Sequence, residues 1–216
     1  MSAWVHAILV AVLLLDLLLS VTSRLSVLIR GFALQAVGIA ALALLLGGSQ
    51  SPHAWIVAGG TLALKAAAIP YFLNRAAQRT NARRELEPLV SYGISLLLAA
   101  LGVLLAFGLA TRLPLEARRA GFLIAAAAFA TMITGLLLLV TRTKALTEVV
   151  GYLVLENGIF LFGLTLLNRM PLLVEMGILL DVFVGVFVMG IVVYNIHRTF
   201  DHIDVSALTT LKEDEP

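Results

Sequence analysis

Long apolar runs separated by short polar breaks organise this chain. Seven of them, at residues 3–22, 26–47, 54–74, 89–110, 119–140, 147–168 and 172–196, each supply about the 20 apolar residues that a helix needs to cross a bilayer core about 30 Å thick. The breaks fall at Ser23-Arg24, at Gly47 to Pro52, at Asn74 to Pro88, at Thr111 to Arg118, at Thr141 to Lys144 and at Asn168 to Pro171. Helices are expected, because a backbone surrounded by lipid must satisfy its own hydrogen bonds. The period-2 alternation of a membrane barrel is absent. The first run has no basic segment before it, holds Asp16, and shows no small-residue cleavage site before Arg24, so it reads as a span and not as a cleaved signal.

Composition agrees. Of the 216 residues, 61% are hydrophobic and only 13% charged, where a soluble domain carries about 25% charged residues. The mean hydropathy is +1.02. A soluble enzyme, a disordered chain and a nucleic-acid-binding domain are thereby excluded; the net charge is only +2 and the arginines lie in short breaks, not along one face. Without cysteine the chain has no thiolate ligands for zinc or iron–sulfur centres, and no disulfide or thiol chemistry. The four histidines show no metal-ligand spacing. With the N-terminus outside, ten Lys and Arg (Arg24, Arg30, Arg75, Arg79, Arg83, Arg84, Arg142, Lys144, Arg198, Lys212) fall on the inner side and four (Arg112, Arg118, Arg119, Arg169) on the outer. The positive-inside rule therefore predicts N-out and C-in, in the cytoplasmic membrane, with residues 197–216 as an inner tail.

Chemistry must then reside in polar groups at membrane depth. Lys65, Glu156 and Asp181 lie near the middle of runs three, six and seven; Asp16 is two-thirds through run one and Gln35 is in the middle of run two. An ionisable group at the bilayer centre costs about 2.5–3.5 kcal/mol, so four cost roughly 10 kcal/mol before compensation, and they face protein or water. Glu156 and Asp181 are 12 residues before and 10 residues after the tight turn Asn168 to Pro171. At about 1.5 Å per residue this puts both about 15–18 Å from the turn, at similar depth on antiparallel neighbours. Two carboxyls so placed, with Lys65, can form a relay for a proton or another small cation. The alternative is static: one acid pairs with Lys65, or hydrogen-bonds a neighbouring helix. Asp16 reads more simply as an interface or subunit-contact residue, and Glu148 as an acid suited to a helix N-terminus. Trp4 and Trp55 stand where interfacial anchors stand.

The stretch Gly151-Tyr152-Leu153-Val154-Leu155-Glu156-Asn157-Gly158 resembles the mid-helix signature of the membrane subunit called hydrogenase-4 component E. Similar likenesses join Lys65 to Pro70, Glu175 to Asp181 and the following apolar run, and the tail from His197 to Leu211. More distantly, the last three runs look like the K subunit of respiratory complex I and the C subunit of multi-subunit sodium/proton antiporters. The resemblance implies a subunit of a group 4 [NiFe]-hydrogenase or formate hydrogenlyase-type complex. It implies antiporter-like and quinone-channel-like membrane partners, and peripheral partners carrying the nickel–iron and iron–sulfur centres, with no cofactor in this chain. It also carries a membrane glutamate onto Glu156. The K subunit's second glutamate falls near Gly185, one turn from Asp181.

The expected protein is an all-α, polytopic membrane helix bundle of about seven spans. Residues 1–118 form a four-span region, 119–196 a three-span region like the K subunit, and 197–216 the tail. The expected function is that of a non-catalytic, bilayer-embedded subunit of a redox-driven proton or sodium pump. Glu156, Asp181 and Lys65 lie on the ion path, with Glu148 and Asp16 as secondary members, and no residue is catalytic or binds metal. The alternatives are a purely structural membrane subunit and a stand-alone small transporter; against the latter, no inverted repeat is visible.

Overall fold

The computed structural model describes residues 3–47, 52–79, 89–113 and 119–165, with positions 183 and 190. All regular structure among them is helical: α1 (Ala3–Val21), α2 (Leu25–Gly47), α3 (Pro52–Thr61), a π-helical segment (Leu62–Ala68), α4 (Ile69–Arg79), α5 (Tyr92–Ala110), α6 (Arg119–Thr141) and α7 (Ala145–Leu164). Together α3, the π segment and α4 make one span, so among the described residues six helices are long and apolar enough to cross a membrane. The expected seventh run, with Asp181 and Glu175, lies outside the described residues except at positions 183 and 190, as does the tail.

Two expectations need correction. The third helix does not stop at Asn74; it continues to Arg79, so Arg75 is on a helix and not in a loop. Arg30 likewise stands exposed on α2. Pro70 is consequently interior to its span. A proline inside a helix has no N–H, and its ring collides with the carbonyl four residues back, here that of Ala66. The helix absorbs this by widening over Leu62–Ala68, where the Ile69 N–H reaches back five residues to the Leu64 carbonyl. Just upstream, the Thr61 hydroxyl donates to the Val57 carbonyl at 2.9 Å, a back-bond that also loosens helices.

Apart from α4, which carries Asn74, Arg75, Gln78 and Arg79, the helices are apolar nearly all round, so burial cannot tell lipid from protein and close packing decides which faces meet. The α6–α7 contact is built on glycine. A Cβ at Gly158 would stand 2.6 Å from the Met132 nitrogen, one at Gly151 would stand 2.9 Å from the Leu139 nitrogen, and one at Gly135 would collide with the Leu155 backbone. Around this pair, α1 packs on α2, α5 and α6, and α2 packs on α3, the π segment and α7. Large apolar side chains such as Trp4, Leu104 and Val140 point outward.

The interior has layers. One apolar cluster includes Leu19, Phe32, Ile69, Leu138, Leu153 and Val154. A second includes Val12, Ile39, Val57, Ala128, Phe160 and Leu161. On every helix that reaches both clusters, buried polar residues fall between them: Asp16 on α1, Gln35 on α2, Thr61 and Lys65 on the third span, Thr131 and Thr134 on α6, and Glu156 and Asn157 on α7. A polar layer therefore crosses the bundle between two apolar plugs.

Candidate functional site

The layer has two centres. In the first, Lys65 and Glu156 meet across the third span and α7, with Lys65 Nζ 3.8 Å from Glu156 Oε2 and side-chain exposures of 0% and 4%. The ammonium also lies over the Phe160 ring, 5.3 Å from its centroid, one turn along α7 from Glu156. The attraction of two unit charges at this range is about 4 kcal/mol at an effective dielectric constant near 20. Such a pair offsets part of the cost of burying each charge, and removing either partner leaves the other uncompensated. Lys65 stands within the π segment that precedes Pro70. Beside the pair, Asn157 is fully buried, and neither its amide nitrogen nor its amide oxygen has a hydrogen-bond partner among the described residues.

In the second centre Asp16 lies in the interior, fully buried, and not at an interface as its sequence position implied. Gln35 Nε2 donates to Asp16 Oδ1 at 2.8 Å, joining α2 to α1. Thr131 Oγ1 lies 2.8 Å from Asp16 Oδ2, joining α6 to α1. The Gln35 oxygen is buried with no hydrogen-bond partner among the described residues. Since α2 packs on α1 and also on the π segment and α7, Gln35 stands on the helix common to both centres.

Glu148 joins neither centre. It is partly buried in the first turn of α7, where an acid suits the positive end of the helix dipole. Asp181 lies outside the described residues. Among the described residues no three His, Asp or Glu side chains gather as a metal site would require.

Arg142 was read as a loop charge, but it is buried at 2% exposure where α6 ends. Its Nη2 donates to the carbonyls of Ser20 at 3.0 Å and Thr22 at 3.3 Å, and its guanidinium lies over the Tyr92 ring, 5.2 Å from the centroid. It thus caps the C-terminus of α1, where a cation is favoured, and ties α1, α5 and α6 together one turn from Asp16. Nothing in its sequence context separated it from the exposed arginines. For Thr131 and Asn157 the signal was their position: each lies at the same depth as the ionisable groups.

The chain is 35% identical to the uncharacterized protein Rv0085 of Mycobacterium tuberculosis over 189 residues, which cover 86% of this chain and 85% of that one. It is 39% identical over 87 residues to hydrogenase-4 component E of Escherichia coli K12, and to that of Shigella flexneri; the matched stretch is 40% of this chain and 40% of component E. No family model and no solved structure matches the chain. An identity of 35% along nearly the whole of both sequences means that this chain belongs to the family of Rv0085, with partial kinship to hydrogenase-4 component E.

Proposed function

We propose that the chain is a non-catalytic, bilayer-embedded subunit of a multi-subunit hydrogenase-type complex, and that its Lys65–Glu156 pair lies on a path for protons or sodium ions. The observation that carries this reading is the pair itself: two opposite charges, 3.8 Å apart and buried, in a polar layer between two apolar clusters. Kinship with component E supports a place in a complex. The layer runs across the bundle, a direction suited to lateral transfer between neighbouring membrane subunits. In this reading the N-terminus is outside, residues 172–196 form a seventh span that brings Asp181 near Glu156, and antiporter-like and quinone-channel-like subunits flank the chain in the cytoplasmic membrane. Soluble partners hold the nickel–iron and iron–sulfur centres.

The buried pair also favours a second reading, in which it clamps the third span to α7 and no ion passes. The two separate in the assembled complex. Glu156→Gln, isosteric and uncharged, is expected to lower the stability of the chain by removing the counter-charge of Lys65, to leave assembled complex that can be assayed, and to abolish redox-driven ion translocation in it. Normal translocation by an assembled Glu156→Gln complex overturns the relay; loss of assembly with normal translocation in the residual complex supports the clamp. A tagged full chain that purifies alone from mild detergent overturns membership of a complex.

A further inference from the structure

The hydrogens around Asp16 can be placed in two ways, one with an ionised carboxylate that accepts from Thr131 and one with a carboxyl that donates to it. Thr131 Oγ1 lies 2.8 Å from Asp16 Oδ2 and 3.0 Å from the Ala127 carbonyl oxygen. Both are hydrogen-bond distances, yet a hydroxyl has one hydrogen. A threonine within a helix donates readily to the carbonyl four residues back, and Ala127 holds that place. With the Thr131 hydrogen on Ala127, the contact to Asp16 Oδ2 needs a hydrogen from the other side. Gln35 Nε2 donates to Oδ1, so Oδ2 is the oxygen left to carry one.

The surroundings point the same way. Among the described residues three helices pack on α1: α2, α5 and α6. From α2 the neutral Gln35 amide faces Asp16, and Arg30 on that helix is exposed. No Asp, Glu, Lys, Arg or His occurs on α5, whose one titratable group, Tyr92, lies under Arg142. From α6 only the Thr131 hydroxyl reaches Asp16, and Arg142, just past that helix, is engaged one turn away with the carbonyls of Ser20 and Thr22. Among the described residues Asp16 therefore has two neutral partners and no cation, whereas a buried carboxylate needs a compensating charge. Glu156, by contrast, has Lys65.

We propose that Asp16 is a proton-binding site: the carboxyl carries a proton on Oδ2, donates it to Thr131 Oγ1, and is held by Gln35. The ligand is a proton because both carboxyl oxygens already face groups that make hydrogen bonds. The bundle thus holds two unlike acids in one polar layer, one neutralised by a proton and one by an ammonium. The site rests on the geometry of α1, α2 and α6 and not on kinship with a hydrogenase subunit, so it stands or falls separately from the translocation reading.

The test is infrared spectroscopy of the full chain in liposomes at neutral pH, comparing wild type with Asp16→Asn, Thr131→Val, Thr131→Ser and Glu156→Gln. Asp16→Asn is expected to remove one protonated-carboxyl C=O band. Thr131→Val, which has no acceptor for the carboxyl hydrogen, is expected to shift that band to higher frequency, while Thr131→Ser and Glu156→Gln leave it in place. Loss of carboxylate bands in place of a carboxyl band on Asp16→Asn overturns the proposal, as does loss of the band in Glu156→Gln. Should Asp16→Asn fail to insert, the Thr131 pair reads the same hydrogen with Asp16 intact. A carboxyl band unmoved by Thr131→Val also overturns the proposal.

Discussion

The Lys65–Glu156 pair makes a quantitative prediction that needs no partner subunit. The charges are 3.8 Å apart with side-chain exposures of 0% and 4%, so water does little to screen them. Removing one member of such a pair typically destabilises by about 3–5 kcal/mol, because a buried charge is left without compensation. Replacing both by uncharged groups of similar size avoids that penalty. Lys65→Met, Glu156→Gln and the double variant therefore form a cycle in which the double costs clearly less than the sum of the singles. The coupling is expected within the range of about 0.5–3 kcal/mol found for residues in contact. The assay is unfolding of the full chain in mixed micelles by increasing denaturing detergent, followed by loss of helical circular dichroism. Additive single costs, with no coupling, would refute the claim that the two charges compensate each other, and with it both readings of the pair.

Three further expectations follow from the packing. Gly158→Ala pushes a methyl to 2.6 Å from the Met132 nitrogen and should cost about 1–3 kcal/mol by overpacking, whereas Gly163→Ala, with nothing within 4 Å among the described residues, should be neutral or slightly stabilising in the same unfolding assay. Arg142→Lys keeps the charge but loses the planar fork that reaches two carbonyls and stacks on Tyr92, so a loss of about 1.5–3 kcal/mol is expected, read as a lower midpoint of detergent unfolding. Pro70→Ala removes the ring that collides with the Ala66 carbonyl, so the segment can close to α-helix and turn Lys65 away from Glu156. The chain should remain helical while the Lys65–Glu156 coupling disappears from the double-variant cycle.

How far the site was legible in the sequence depends on the residue. Lys65 and Glu156 stood out because an ionisable group in a long apolar run is expensive, and a pairing between them was one of the readings open from depth alone. Asp16 carried the same signal but was misplaced at an interface, since nothing in the run Leu13 to Leu19 indicates which side of α1 faces the protein. Arg142 was hidden among arginines that orient the chain, because a charge at a helix end reads the same whether it faces water or caps a neighbouring helix. The third run was expected to end at Asn74; that its helix widens before Pro70 and continues to Arg79 is seen only in the folded chain.

The sequence by itself determined the solvent: runs of about 20 apolar residues place the helices in a bilayer, and hydropathy sets the depth of every polar group along its own helix. It also placed glycine at positions where two helices can approach closely. Which groups meet was decided by tertiary structure. In lipid the outward and inward faces of a helix are equally apolar, so the amphipathic signal that orients a helix in a soluble protein is nearly absent. Rotation about each axis is instead set by contacts such as Gly135, Gly151 and Gly158 at the α6–α7 seam and by the widened turn before Pro70. Those contacts put Glu156 against Lys65 and Asp16 against Thr131 and Gln35, because close backbone approach and satisfied polar bonds are what hold helices together where burial alone does not.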